Sequence, residues 1–143
     1  MTRTEGRTWM EHLTEHECWE LASSSPIGRL GVLVDSAPEI YPVNHAVDGT
    51  SIVFRTDEGS KLRGLDRSPS VSFEVDGFDE GARGGWSVLI KGRATEITSV
   101  EDLLTAEELP LTFWGPGNKS HWIRIVPTEV TGRRIVPSRR PSP

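Results

Sequence analysis

The chain is short of the residues that several kinds of protein depend on. Its 143 residues include a single cysteine, Cys18. That excludes an intrachain disulfide framework and any site built on several thiolates. Cys18 is flanked by apolar positions and is read as a small buried helix residue. A chain with so little cysteine is at home in a reducing compartment, so a cytoplasmic location is expected. No apolar run approaches the ~18 residues a membrane helix needs, and Met1 to Trp9 contains no apolar stretch of the secretory kind. Basic charge is also scarce: 16 Lys and Arg against 21 Asp and Glu leave a net charge of −5, the wrong sign for holding nucleic acid. The four histidines are scattered; His12 and His16 sit four apart, but no third ligand lies at a metal-site spacing, so no metal is expected. Phosphate loops of the GxxxxGK[ST] type and a GxGxxG after a strand are missing, which argues against a nucleoside triphosphatase or a Rossmann enzyme. No GxSxG elbow is present.

Glycine (14), proline (10) and tryptophan (5) are plentiful. With one domain's length, this composition suits a fold rich in strands and turns. Thr14 and Glu17 form a capping box, and Cys18, Trp19, Leu21 and Ala22 make an apolar stripe, so residues 14–24 are read as a helix ended by Ser25-Pro26. The period then changes to two. Strands are expected over 27–34, 39–47, 50–56, 70–78, 86–97 and 120–126, the last followed by Pro127 and an extended segment to about 135. Turns are placed at Ser36-Ala37-Pro38 and at the hairpin signal Asp48-Gly49, and a loop at Gly81 to Gly85. Short helices are expected over 58–66 and 100–108. Gly28 and Gly31 suggest close packing against another backbone. No long crossover helix joins the early strands. The fold class is therefore mainly β with short helices (α+β), a six-stranded antiparallel split β-barrel.

The most informative segment is Phe54-Arg55-Thr56 followed by Gly59-Ser60-Lys61. A strand ending in a guanidinium and a hydroxyl, then a helix start carrying a hydroxyl and an ammonium, offers what a phosphate needs. Asp76, Asp79 and Glu80 read as a solvated rim. His45 lies beside Asn44 and should face the other way on an alternating strand, as a core or interface histidine.

The order of segments resembles the pyridoxamine 5′-phosphate oxidase-like family of flavin and deazaflavin split barrels. The residues that carry the resemblance are Ile27-Gly28-Arg29-Leu30-Gly31, Tyr41-Pro42-Val43-Asn44, Phe54-Arg55-Thr56 with Gly59-Ser60-Lys61, Ser68 to Val75, and Gly85-Trp86-Ser87-Val88 with Lys91-Gly92-Arg93-Ala94. It covers about residues 12–135, leaving 1–11 as an N-terminal extension and 136–143 as a flexible tail. The resemblance implies an FMN-binding homodimer with the cofactor at the interface. Arg55, Thr56, Ser60 and Lys61 would hold its phosphate, and Pro42, Val43 and Asn44 would face the ring. Trp86 and Ser87 would close the site from the partner subunit, with Trp114 and Trp122 as weaker candidates. It further implies a flavin-dependent oxidoreductase passing electrons from a reduced nicotinamide to a small electrophile, with no catalytic residue identified. True pyridoxamine phosphate oxidases carry a substrate-phosphate site with an Arg-rich C-terminal segment; that site is not seen in Trp122-Ile123-Arg124-Ile125 and the tail after it, and the adjacent Arg-Lys pair is missing from Gly59-Ser60-Lys61-Leu62, so that substrate is not expected. The alternatives the resemblance leaves are an F420-dependent reductase, or a non-enzymatic flavin- or haem-binding protein on the same fold.

Overall fold

The computed structural model describes residues 8–81, 84–111 and 120–137. Trp114 and the tail from 138 onward lie outside the described residues. Seven strands and three helices follow in the order β1 (Thr8–His12), α1 (Glu15–Ser23), β2 (Ile27–Val34), β3 (Ala37–Val47), β4 (Ile52–Thr56), α2 (Ser60–Arg67), β5 (Ser70–Asp79), β6 (Gly84–Glu96), α3 (Val100–Glu107) and β7 (His121–Pro137). The sheet order is β1-β7-β4-β3-β2-β5-β6, every pair antiparallel, and β6 pairs again with β7. That last pairing closes a six-stranded barrel from β2 to β7, with β1 as a seventh strand beside it.

The strand β7 accounts for the split. Its first half pairs with β4 (Ile52↔Ile125, Thr56↔His121) and its far end with β1 (Thr8↔Pro137, His12↔Arg133), while β6 runs along its other edge. The sequence reading ends this strand at 126, because proline cannot donate to a ladder. Pro127 instead sits where the β6–β7 register shifts between Lys91 and Gly92, and a bulge is one of the few sheet positions that accepts proline. Six expected strands thus become seven. The short strand β1 has little β-branched content to announce it.

Two hairpins differ in instructive ways. Asp48 and Ser51 exchange backbone hydrogen bonds (2.9 and 3.1 Å), and Gly49 takes the first central position with φ 61°. The hairpin that Asp48-Gly49 signals is present, with its two central residues one position further on, at Gly49 and Thr50. The β2–β3 turn, however, is made by Asp35 and Ser36, with φ 51° and 68°, and not by Ser36-Ala37-Pro38. Both central residues are left-handed, as a type I′ hairpin turn requires, and Pro38 is already in the strand opposite Leu33.

Alternation along the strands sorts the core. Leu30, Val43, Ile52, Phe54, Val71, Phe73, Val75, Val88, Ile90, Ile123 and Ile125 fill the barrel. Helix α1 packs on it through Cys18, Trp19 and Ala22. The expected capping box is present: Glu17 N–H donates to Thr14 Oγ1 (3.2 Å) and Thr14 N–H to Glu17 Oε1 (2.9 Å). A second cluster, Val53, Ile97, Ala106 and Trp122, lies on the outer face under α3. Arg124 ties the β3–β4 hairpin to β7 by donating to Asp48 (2.9 Å) and Ser51 (2.6 Å). Gly28 is close to both a side chain and a backbone: a Cβ there would stand 2.3 Å from the Phe73 ring and 3.1 Å from the Glu74 carbonyl oxygen.

Candidate cofactor site

Helix α2 positions the first group of candidate residues. Leu62, Gly64 and Leu65 face inward, and a Cβ on Gly64 would lie 2.8 Å from the Leu33 carbonyl oxygen. The helix therefore rests directly on β2, and only glycine permits that approach. Its N-cap, Gly59 (φ 156°), offers no side-chain acceptor to the first-turn amides. Ser60 Oγ lies 3.3 Å from the Tyr41 hydroxyl, which donates in turn to Glu39. Lys61 Nζ stands 5.2 Å above the Tyr41 ring. Ser60 and Lys61 thus gather over β3, one residue from Pro42. Tyr41, which no sequence argument had singled out as a site residue, forms the platform beneath them.

Arg55 and Thr56 leave β4 on opposite faces. The Arg55 guanidinium stacks 4.8 Å over the Trp122 ring, on the side where α3 packs. Thr56 is 1% exposed and donates to the Asp57 carbonyl at 3.2 Å. Trp122 is buried in that outer cluster as well.

On β3 the odd residues point inward and the even ones outward. Val43 belongs to the core, whereas Pro42 is exposed and Asn44 is half-buried. Asn44 Nδ2 is buried without a hydrogen-bond partner. An orphan amide donor of this kind is costly unless something accepts from it, and a ring edge rich in oxygen and nitrogen acceptors would do so. His45 turns the other way, as expected: Nε2 donates to the Ala22 carbonyl (2.9 Å), and the ring meets Phe73 edge-on at 5.0 Å. Burial lowers its pKa, against the pull of that carbonyl, so it is a neutral core residue.

Trp86 and Ser87 lie elsewhere in the same chain. Strands β2 and β5 separate β3 from β6. Trp86 lies flat on Gly77, where a Cβ would meet the indole at 2.7–2.8 Å, and Ser87 faces outward opposite Asp76 and Arg133. A single chain therefore does not bring these two residues to the α2 cluster.

Charged groups border both regions. At the end of β4, His121 Nδ1 is 2.7 Å from Glu96 and Nε2 is 3.6 Å from Glu58. The hydrogen bond to Glu96 is the main reason its pKa is raised, with the charges of Glu96 and Glu58 adding to it. On the outer face Arg29 bridges Glu74 (3.0 Å) and Asp76 (3.2 Å). Burial, then the bond to Asp76, raises the Glu74 carboxyl above its usual range. Asp76 is thus part of an ion-pair network as well as a rim residue. A groove of about 710 Å³ runs along this face past Gly31, Leu33, Ile40, Ser72 and Lys91. Leu33 and Ile40 are exposed in it (42% and 73%). Among the described residues no group of three metal-binding side chains comes together, and no helix is long and apolar enough to cross a membrane.

Comparison with known proteins agrees with this architecture. The family model described as pyridoxamine 5′-phosphate oxidase matches residues 14–134. An uncharacterized protein of Mycobacterium tuberculosis is 33% identical over 133 residues, covering 90% of this chain and 87% of its own. The FAD binding protein from Mycobacterium smegmatis superposes with a TM-score of 0.75 at 36% identity, covering 88% of this chain and 98% of its own. A heme binding protein from the same organism shares the fold at 17% identity, with a TM-score of 0.67 over 81% of this chain and 52% of its own.

Proposed function

The chain belongs to the pyridoxamine 5′-phosphate oxidase family, and from that premise we propose that it is a flavin-binding oxidoreductase that holds FMN between two copies of itself. The observation that carries this reading is the meeting of Ser60, Lys61 and the α2 N-terminus over Tyr41 on β3, the strand whose other face carries Asn44 with its unpartnered amide. Lys61, the Ser60 hydroxyl and the helix N-terminus provide positive charge and donors for a phosphate. Thr56 and Arg55 border the same turn, and Arg55 is aligned by its stack on Trp122. Pro42 and Asn44 present the outer face of β3 to a ring, and Val43 supports that strand from the core. A bound flavin supplies hydride and electron transfer. The protein's part is to orient it, to keep water away and to donate from Asn44 to the ring edge.

The exposed Leu33 and Ile40 beside the outer groove are the surface a second copy would cover. Trp86 and Ser87, which one protomer keeps away from α2, then reach the cofactor from the partner. A second reading, FAD in place of FMN, is favoured by the 36% identity to the FAD binding protein of Mycobacterium smegmatis. Titration of the flavin-free protein with FMN and FAD separates the two. Light scattering tests the dimer, and a monomer at micromolar concentration would contradict it. Either Lys61→Ala or Arg55→Ala should weaken binding, and unchanged affinity in both would remove the phosphate assignment.

A further inference from the structure

Two neighbouring rows of side chains cross the outer face of β1, β7, β6 and β5. One runs His12, Arg133, Ser87, Asp76; the next runs Met10, Ile135, Gly85, Phe78. Residues opposite one another in antiparallel pairs share a face, so each row is continuous. In the second row Met10, Ile135 and Phe78 are 54%, 44% and 70% exposed, and Gly85 contributes no side chain. Ile135 and Phe78 stand two strand spacings apart, about 10 Å, across that glycine floor. They wall a groove of about 360 Å³, within the size range of small-ligand sites.

Two charged side chains line this groove, Arg133 and Asp76. Among the described residues Arg133 Nη1 donates only to the Met10 thioether, at 3.6 Å, which is a weak acceptor. Asp76, the acid in its row, is already held by Arg29 at 3.2 Å. His12 stands directly beside Arg133. Within an acidic chain, a guanidinium without a carboxylate partner among the described residues borders an apolar slot with a flat floor.

We propose that this groove binds a small aromatic carboxylate. The two carboxylate oxygens accept from the Arg133 guanidinium as a fork, which suits planar anions. The Ser87 hydroxyl donates a further bond. The ring lies over Gly85 between Ile135 and Phe78, with the Met10 sulfur at its edge, a favourable contact for an aromatic ring. The inference stands on sheet register and charge and goes beyond the flavin reading; Ser87 is common to both, so under that reading the acid sits beside the cofactor as a substrate-side ligand.

Calorimetric titration of the flavin-free full chain with benzoate, and with benzamide as an uncharged isostere, tests it. Benzoate should saturate the protein. Arg133→Gln should weaken it about ten-fold or more, the size of a lost charge-assisted bond, and Phe78→Ala should weaken it measurably. Both side chains are exposed, so melting temperature should not move. Benzamide should bind at least about ten-fold more weakly than benzoate. Absence of saturable benzoate binding, equal binding by Arg133→Gln, or equal binding of benzamide overturns the proposal. Flavin affinity is recorded on the same preparations: flavin failure with benzoate binding intact sinks only the cofactor reading, and the converse sinks only this one.

Discussion

Gly92→Ala adds one methyl group at the bulge where β6 crosses β7. The new Cβ would stand 2.3 Å from the Val126 carbonyl oxygen, 2.9 Å from its carbon and 3.0 Å from Pro127 Cα. All three neighbours are backbone, so no side-chain rotation relieves the contact, and β7 must retreat by about 1 Å to restore van der Waals separation. Overpacking of this kind costs about 1–3 kcal/mol, and an obstacle made of backbone places it at the upper end. For a domain of this size about 3 kcal/mol lowers the melting temperature by roughly 10 °C. Gly31→Ala is the matched control. Its nearest atom is Ser72 O at 3.6 Å, an ordinary contact, and a strand interior favours Ala over Gly by roughly 0.5–1 kcal/mol. Thermal denaturation followed by circular dichroism should therefore show one variant sharply destabilised and the other unchanged or slightly stabilised. Equal melting temperatures for Gly92→Ala and wild type would refute the tight β6–β7 bulge and with it the geometry that closes the barrel.

Two further substitutions probe other parts of the fold. Thr14→Ala removes the hydroxyl half of the α1 capping box and should cost about 1 kcal/mol, read as a lower urea midpoint with an unchanged slope. His121 has a raised pKa because of Glu96 and Glu58; its protonated form therefore stabilises the fold fully below the unfolded imidazole pKa of about 6.5, and the contribution is lost as pH rises through the raised folded value. Wild type should melt above His121→Gln in mildly acidic buffer and lose that margin in alkaline buffer. A margin independent of pH would mean that the contact to Glu96 is not an ion pair.

Signals confined to neighbouring residues were the ones the sequence displayed. The Thr14–Glu17 box, the Asp48-Gly49 hairpin and the two-residue alternation each depend on positions a few apart, and each is found in the fold. Features set by distant partners were hidden. Pro127 looks like a strand end until Gly92 is seen opposite it across the bulge. Asp35-Ser36 carries no glycine to mark a left-handed turn. The same holds for the site. Ser60 and Lys61 were legible as a helix start, but Tyr41 and Trp122, which support Lys61 and Arg55, come from other strands. Alternation alone says that Arg55 and Thr56 face apart, and that Trp86 and Ser87 do too. Only the strand order shows that β2 and β5 lie between Trp86 and the α2 cluster.

Equilibrium titration of the flavin-free protein and of Lys61→Ala with FMN, FAD and F420, followed by fluorescence, tests the central claim most directly. The account predicts saturable flavin binding by the wild type, no comparable binding of F420, and a loss of about 1.5–3 kcal/mol in Lys61→Ala, the size of a charge-assisted bond. Failure of both flavins to bind, or the same affinity with and without the Lys61 ammonium, would contradict it.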